Sequence, residues 1–421
     1  MPAMMFCKLT ISLLLSTLAV ALAINYDGYK IYDINAKSAF EKEALLRISE
    51  NPAYDFFLLP RALGVPARVM VQPKDQMGFE GLLHQIGISY SVVNNNFGES
   101  VQLEREQNNQ MRSVKDASER ISFRSFQRFD AFNFYLDELA NDYPRYVFVK
   151  TVGKSYEGRE IKTITITNGD GRPDKKVILV DAGIHAREWI APATALYIVH
   201  QLVENQVGNA NLLKDYDWIV LPVVNPDGYE YTHTDQRMWR KTRKPVTDSC
   251  SGTDGNRNFD FHWGEVGASS ISCADTYKGR TAFSEPETRV LRDIMLSVAG
   301  RAKFYLTIHS YGNYLLYPWG FTSALPSTWQ DIDEVAQAGA AAIFAATGTK
   351  YTVGSSTNVL YAAAGGSDDY AFAKASIPIA ITMELSAGGS GFDPTPAQIQ
   401  PFVAESWVGI RAMATMVTNK Y

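Results

Sequence analysis

Hydrophobic spacing divides the chain into stretches of different character. An apolar run over 9–23 follows Lys8 and closes on Ala21, Leu22 and Ala23. It is shorter than the roughly 20 residues that span a bilayer, so it predicts a cleaved secretory signal over 1–23, with a membrane anchor as the alternative. Short β-type runs at 29–34, 54–59, 68–72 and 88–93 then bracket helical spacing at 38–49 and 76–85. The order βαββαβ predicts a small α+β open sandwich over 24–98. A polar segment over 99–120 follows, read as an exposed helix or linker.

From residue 121 onward the elements lengthen. Helical patterns fall at 129–141, 192–205, 328–347 and 396–419, and strand patterns at 148–152, 161–167, 177–180, 218–224, 304–309 and 379–384. The run at 177–180 is continuously apolar and that at 304–308 is apolar but for Thr307, as expected of strands buried on both faces. Alternation of this kind predicts an α/β domain over 121–421 with a mixed, mostly parallel sheet flanked by helices. The 40 Lys and Arg against 45 Asp and Glu include no basic block that could follow a phosphate backbone, which excludes nucleic acid as a partner. No later segment is apolar enough to predict a membrane span. Cys7 falls in the signal, so Cys250 and Cys273 remain as an even pair in an oxidising compartment and are predicted to be bonded, two separate buried thiols being the alternative.

Functional groups in open α/β sheets gather beyond the carboxyl ends of strands. The run at 177–180 leads into G-I-H-A-R-E-W over 183–189, which sets His185 and Glu188 three apart on a turn, and the run at 304–308 stops at His309. Two imidazoles and a carboxylate form the ligand set of a catalytic zinc with an open position. The competing reading of an isolated H-x-x-E is a surface histidine beside a solvated acid. His84, His200, His233 and His262 lack such partners and are read as structural.

Six motifs occur together: G-I-H-A-R-E-W, W-R-K-T-R at 239–243, D-G-N-R-N at 254–258, I-H-S-Y at 308–311, Y-A-A-A-G-G-S-D-D-Y at 361–370 and T-M-E-L at 382–385. In register they resemble the pancreatic-type zinc metallocarboxypeptidases, most closely a procarboxypeptidase B, along essentially the whole chain. The resemblance implies one Zn2+ held by His185, Glu188 and His309, with Asp254 orienting His185. It also implies Glu384 as general base and acid and Arg240 as the oxyanion stabiliser. Asn256, Arg257 and Tyr361 match the grip on the substrate's terminal carboxylate, and Arg187 and Tyr311 match outer subsites.

These roles suit the residue types, since a carboxylate beside the metal can relay a proton and a guanidinium pairs with a planar carboxylate. Asp368 matches the base of the pocket for the last side chain, where aspartate accompanies Lys or Arg ends and an apolar residue accompanies aromatic or aliphatic ones; Asp369 matches an acid of both types. The chain departs from the vertebrate digestive pattern at Ser386-Ala387 and Gly312-Asn313, which bears on inhibitor sensitivity and outer subsites.

The expected protein is therefore a secreted, extracellular zymogen acting on peptide and protein C-termini. Its own sandwich domain would inhibit it until a trypsin-like protease cuts after Arg112, Lys115 or Arg120, and proteinaceous carboxypeptidase inhibitors are further expected partners. The alternatives are an A-type carboxypeptidase and a secreted, non-catalytic binding protein of the same fold.

Overall fold

Strand β1 (Lys30–Asn35) is covered on both faces, and that double burial organises the first part of the computed structural model, which describes residues 24–113 and 120–421. The predicted signal over 1–23 and the candidate cut at Lys115 lie outside the described residues. With β2 (Tyr54–Leu58), β3 (Ala67–Val71) and β4 (Ser89–Asn94), β1 forms an antiparallel sheet in the order β2-β3-β1-β4. Side chains alternate across a strand, so Tyr32, Val69 and Val71 meet Leu45, Phe79 and Leu83 of the helices Ala39–Ile48 and Gln76–Gln85. Ile31 and Met70, opposite each other in register, face the other way and pack with Phe57, Phe97, Met238, Tyr311 and Phe392. The larger domain thus covers the second face of the small one.

The helix Phe97–Ser113 joins the two bodies. Its segment reads as solvent-facing in the sequence, yet Val101, Glu104 and Asn108 are buried. Glu104 accepts from the buried Arg237 at 2.6 and 2.9 Å, and Asn108 Oδ1 accepts from the backbone N–H of Phe126 at 2.8 Å. A polar sequence hides these contacts because two of the buried positions, Glu104 and Asn108, are themselves polar and paired.

The second sheet contains β5 (Val147–Lys154), β6 (Glu160–Ile166), β7 (Lys176–Ala182), β8 (Tyr216–Leu221), β9 (Ala302–Ser310), β10 (Tyr314–Tyr317), β11 (Thr352–Ser355) and β12 (Ile379–Leu385). Their order is β11-β10-β12-β9-β7-β8-β6-β5, and the central run β12-β9-β7-β8 is parallel. Ile178, Val180, Leu306 and Ile308 point to the layer holding the helices Phe129–Asp142, Ile190–Val203, Trp329–Thr347 and Pro396–Lys420. Val177, Leu179 and Tyr305 point to the opposite layer, which includes Pro286–Ser297 and Ser367–Ala373.

The strand expected to reach residue 224 stops at Leu221, because Pro222 has no N–H for the ladder. The four-residue strands β10 and β11 and the helices Pro226–Thr234 and Pro286–Ser297 are not apparent from the hydrophobic pattern. Among the described residues no helix is long and apolar enough to cross a membrane. Cys250 and Cys273 are bonded, with Cα atoms 5.0 Å apart.

Leu306 is fully buried in the middle of β9. Leu306→Ala should cost about 2–5 kcal/mol of stability, part of it from the cavity left behind. Urea unfolding of the full chain checks this, and a loss under about 1 kcal/mol would remove β9 from the centre of the core.

Candidate metal and active site

The carboxyl ends of β7, β9 and β12 supply the candidate groups. Gly183 follows β7 with φ +68°, and a Cβ there would come within 3.0 Å of Pro192, so only glycine turns the chain without strain or crowding. That turn carries His185 and Glu188 to the mouth of β9, where His309 sits. Parallel pairing sets Glu384 of β12 directly beside His309.

Each imidazole presents Nδ1 to a common point. His185 Nε2 donates to Asp254 Oδ1 at 3.0 Å, while Nδ1 lies 2.8 Å from Glu188 Oε1 and 3.1 Å from His309 Nδ1. His309 Nε2 is engaged by Thr307 Oγ1 at 3.2 Å. With both Nε2 protons committed, two nitrogen lone pairs and a carboxylate converge. Burial would lower the pKa of His309, but Glu188 outweighs it and pushes it up to about 9. The protein atoms alone leave this point short of positive charge. One ligand atom from each of His185, Glu188 and His309 lies within 4.8 Å of the others, and among the described residues this is the one such grouping able to hold a metal. Donor types, convergence and charge all fit zinc.

Asp254 is fully buried and spreads its two oxygens over the site. Oδ1 accepts from His185 and from the Asn256 N–H at 2.9 Å; Oδ2 accepts from Arg240 Nε and Nη2 at 3.2 and 3.0 Å. Burial disfavours its charge, but Arg240, His185 and Arg257 hold the carboxyl well below the usual range. The Ala186 N–H donates to the Arg240 carbonyl at 3.0 Å, which docks the arginine's segment on the metal turn. Glu384 has the opposite character. Burial pushes it up to about 8, against the attraction of His309 and with repulsion from Glu188.

A cleft of about 980 Å³ opens over these groups and is lined by Asn256, Arg257, Tyr361, Asp368 and Glu384. Arg257 is steadied by bonds to the Gly267 and Asn256 carbonyls at 3.0 and 2.8 Å, and Asn256 Oδ1 accepts from the Ser367 N–H at 2.9 Å. Asp368 is 6% exposed and accepts from Thr382 Oγ1 at 3.0 Å; no cation among the described residues pairs with it. Asp369 instead takes the Gly320 N–H at 2.9 Å, and burial and the charge of Asp368 hold its carboxyl well above the usual range.

Matching models cover 132–409, "Zinc carboxypeptidase", and 32–104, "Carboxypeptidase activation peptide". The chain belongs to the zinc carboxypeptidase family. It is 47% identical over 304 residues to a "Carboxypeptidase B" of Astacus astacus, covering 72% of this chain and 100% of that one. A "Zinc carboxypeptidase A 1" of Drosophila melanogaster is 38% identical, covering 94% and 93% of the two chains. The structure of carboxypeptidase A from Helicoverpa armigera superposes with a TM-score of 0.88 at 35% identity, over 94% of this chain and 99% of that one. This zinc carboxypeptidase is thus a metalloexopeptidase with its activation peptide attached, and His185, Glu188 and His309 form the site for a single catalytic zinc.

Arg187 and Tyr311 do not face open solvent. Arg187 Nη1 donates to Asp55 of the activation peptide at 2.8 and 3.0 Å and lies 3.4 Å from Asp275, and Tyr311 is packed under the small sheet. Asp55, Asp275 and Phe392 escape the sequence reading because nothing local marks them: docking of the two bodies gives Asp55 its partner, and long-range packing within the larger domain sets Asp275 beside Arg187 and Phe392 against Arg187 and Tyr311.

Asp254→Ala should weaken zinc binding about 10–100-fold, since it frees the His185 ring. Competition of the full chain against a chromogenic chelator measures this, and wild-type affinity in the variant would deny Asp254 that role.

Proposed function

We propose that this chain is the extracellular zymogen of a B-type carboxypeptidase, which hydrolyses the last peptide bond of substrates ending in Lys or Arg. The observation that carries the specificity is Asp368, a buried carboxylate on the wall of the cleft with no cation among the described residues to neutralise it. A substrate ammonium or guanidinium would supply that partner, whereas an apolar end would leave the charge buried alone at a cost of about 1–3 kcal/mol.

The remaining roles follow from position. Arg257 and Asn256 offer donors from a steadied loop to a terminal carboxylate, which an internal peptide bond lacks, and Tyr361 lines the same cleft. Arg240, held by Asp254, places fixed positive charge where an oxyanion would develop. Glu384, with its carboxyl up near neutral pH, is suited to take a proton from water and return it to the leaving amine. Zinc, when bound, supplies Lewis acidity toward water and the scissile carbonyl.

Latency rests on the activation peptide. Asp55 occupies Arg187, Phe57 packs on Phe392 with ring centroids 5.2 Å apart, and the Met238 N–H donates to the Tyr26 hydroxyl at 3.0 Å, so the outer cleft is roofed. Division into a signal over 1–23, an inhibitory domain over 24–98, a linker over 99–120 and a catalytic domain over 121–421 is part of the proposal. So is activation by a trypsin-like cut after Arg112, Lys115 or Arg120. Bovine thrombin-activatable fibrinolysis inhibitor, 32% identical over 71% of this chain, has been solved with a tick carboxypeptidase inhibitor. That likeness supports protein inhibitors as partners here.

One observation favours an A-type reading: relatives and a solved neighbour of similar identity carry that name. Trypsin-treated protein should release Lys and Arg far faster than Leu and Phe from matched peptides and lose activity to a chelator. Asp368→Ile should reverse the preference by up to about a hundredfold, while Glu384→Gln should abolish turnover. Unchanged preference in Asp368→Ile would end the B-type assignment, and surviving turnover in Glu384→Gln would end the proton-transfer role. With activating proteases blocked, the uncut chain should be nearly inactive and Asp55→Ala measurably less so; full activity of the uncut wild type would refute latency.

A further inference from the structure

Two polar side chains sit where the apolar pattern of the central sheet should continue. On β7, Val177 and Leu179 face the layer beneath the cleft, and the next residue on that face is Asp181; on β9, Ala302 and Tyr305 face it, followed by Thr307. Both are fully buried, and they are direct neighbours in the parallel register. Buried polar groups in such a layer are costly unless they bond well.

Their bonds lead to the metal site. Thr307 Oγ1 donates to Asp181 Oδ1 at 3.0 Å, and the same oxygen lies 3.2 Å from His309 Nε2. Asp181 Oδ2 makes no hydrogen bond of ordinary geometry, and the carboxylate is held by the Thr307 hydroxyl together with the buried Tyr305 hydroxyl beside it. A hydroxyl has one proton. Once Thr307 gives it to Asp181, its oxygen can only accept from His309, which places the imidazole proton on Nε2 and the lone pair on Nδ1.

We infer that Thr307 and Asp181 are positioning residues for zinc, a two-step relay that fixes the tautomer and ring orientation of His309 as Asp254 does for His185. The two histidine ligands are then held differently. His185 touches a carboxylate directly, whereas a neutral hydroxyl stands between His309 and Asp181, so the second support should be the weaker. The inference rests on zinc being held by His185, Glu188 and His309, and it extends that reading to residues outside the ligand set.

The test is zinc affinity of the full-length chain, stripped of metal and titrated with zinc against a chromogenic chelator at fixed pH. Thr307→Val keeps the shape and removes the hydroxyl, and it should weaken zinc about tenfold, less than Asp254→Ala. Thr307→Ser restores the hydroxyl and should return affinity to within about twofold of wild type, a rescue that a purely packing role for Thr307 would not produce. Asp181→Asn keeps an acceptor without the charge and should fall between. His309→Ala separates the failures: loss of zinc there with wild-type affinity in Thr307→Val overturns the relay alone, while unchanged affinity in His309→Ala overturns the ligand set. If Thr307→Val unfolds, the comparison of Thr307→Ser with Asp181→Asn decides, and equal wild-type affinity in both overturns the relay.

Discussion

The active region depends on one buried carboxylate. Asp254 bonds simultaneously to a metal ligand, to the arginine beside it and to the backbone that presents Asn256. A charged group with no exposed surface is tolerated only when such bonds replace its hydration. It ties the distant metal turn to its own loop and to the Arg240 segment, and a shift of any one would strand charge in a low-dielectric interior. Mutual dependence of this kind makes the site rigid before any substrate arrives.

The sheet makes that arrangement possible. Parallel strands bring several carboxyl ends to one edge, and β7, β9 and β12 are adjacent there, which is why His185, His309 and Glu384 converge although the chain between them is long. Because both faces of these strands are packed with apolar side chains, their ends have little freedom to drift. The neighbourhood then separates two carboxylates by environment. Glu188 faces the histidines and stays charged, and Glu384, beside the same His309, is driven up toward neutral pH by burial.

The activation peptide uses the same logic at larger scale. Its sheet has two apolar faces, and its own helices cover only one, so the other finds its cover on the catalytic domain. Charged contacts set the register of that docking: Asp55 meets Arg187, Glu104 meets Arg237, and Arg68 bonds both Asp33 and the Ser390 carbonyl. Arg187 is also stacked against Phe392 with its guanidinium 4.5 Å from the ring centre. Occupying the outer end of the cleft thus requires no residue of the peptide to touch the metal ligands.

Much of this was legible along the chain. Apolar runs marked β7 and β9 as buried strands, and His185 with Glu188 on one turn and His309 at a strand end could be picked out by type and spacing, whereas Asn256 and Arg257 were legible only through the family resemblance. The short strands β10 and β11 could not, since four residues are too few for a period to emerge. Nor could Asp55, Glu104, Thr307 or Asp181 be recognised, because a lone polar residue carries no sign of what it will face. The order of residues along the chain determined which groups were available and where the strands would end. Tertiary structure alone decided which of them share protons and charge, because those interactions act over a few ångströms between segments that the chain keeps far apart.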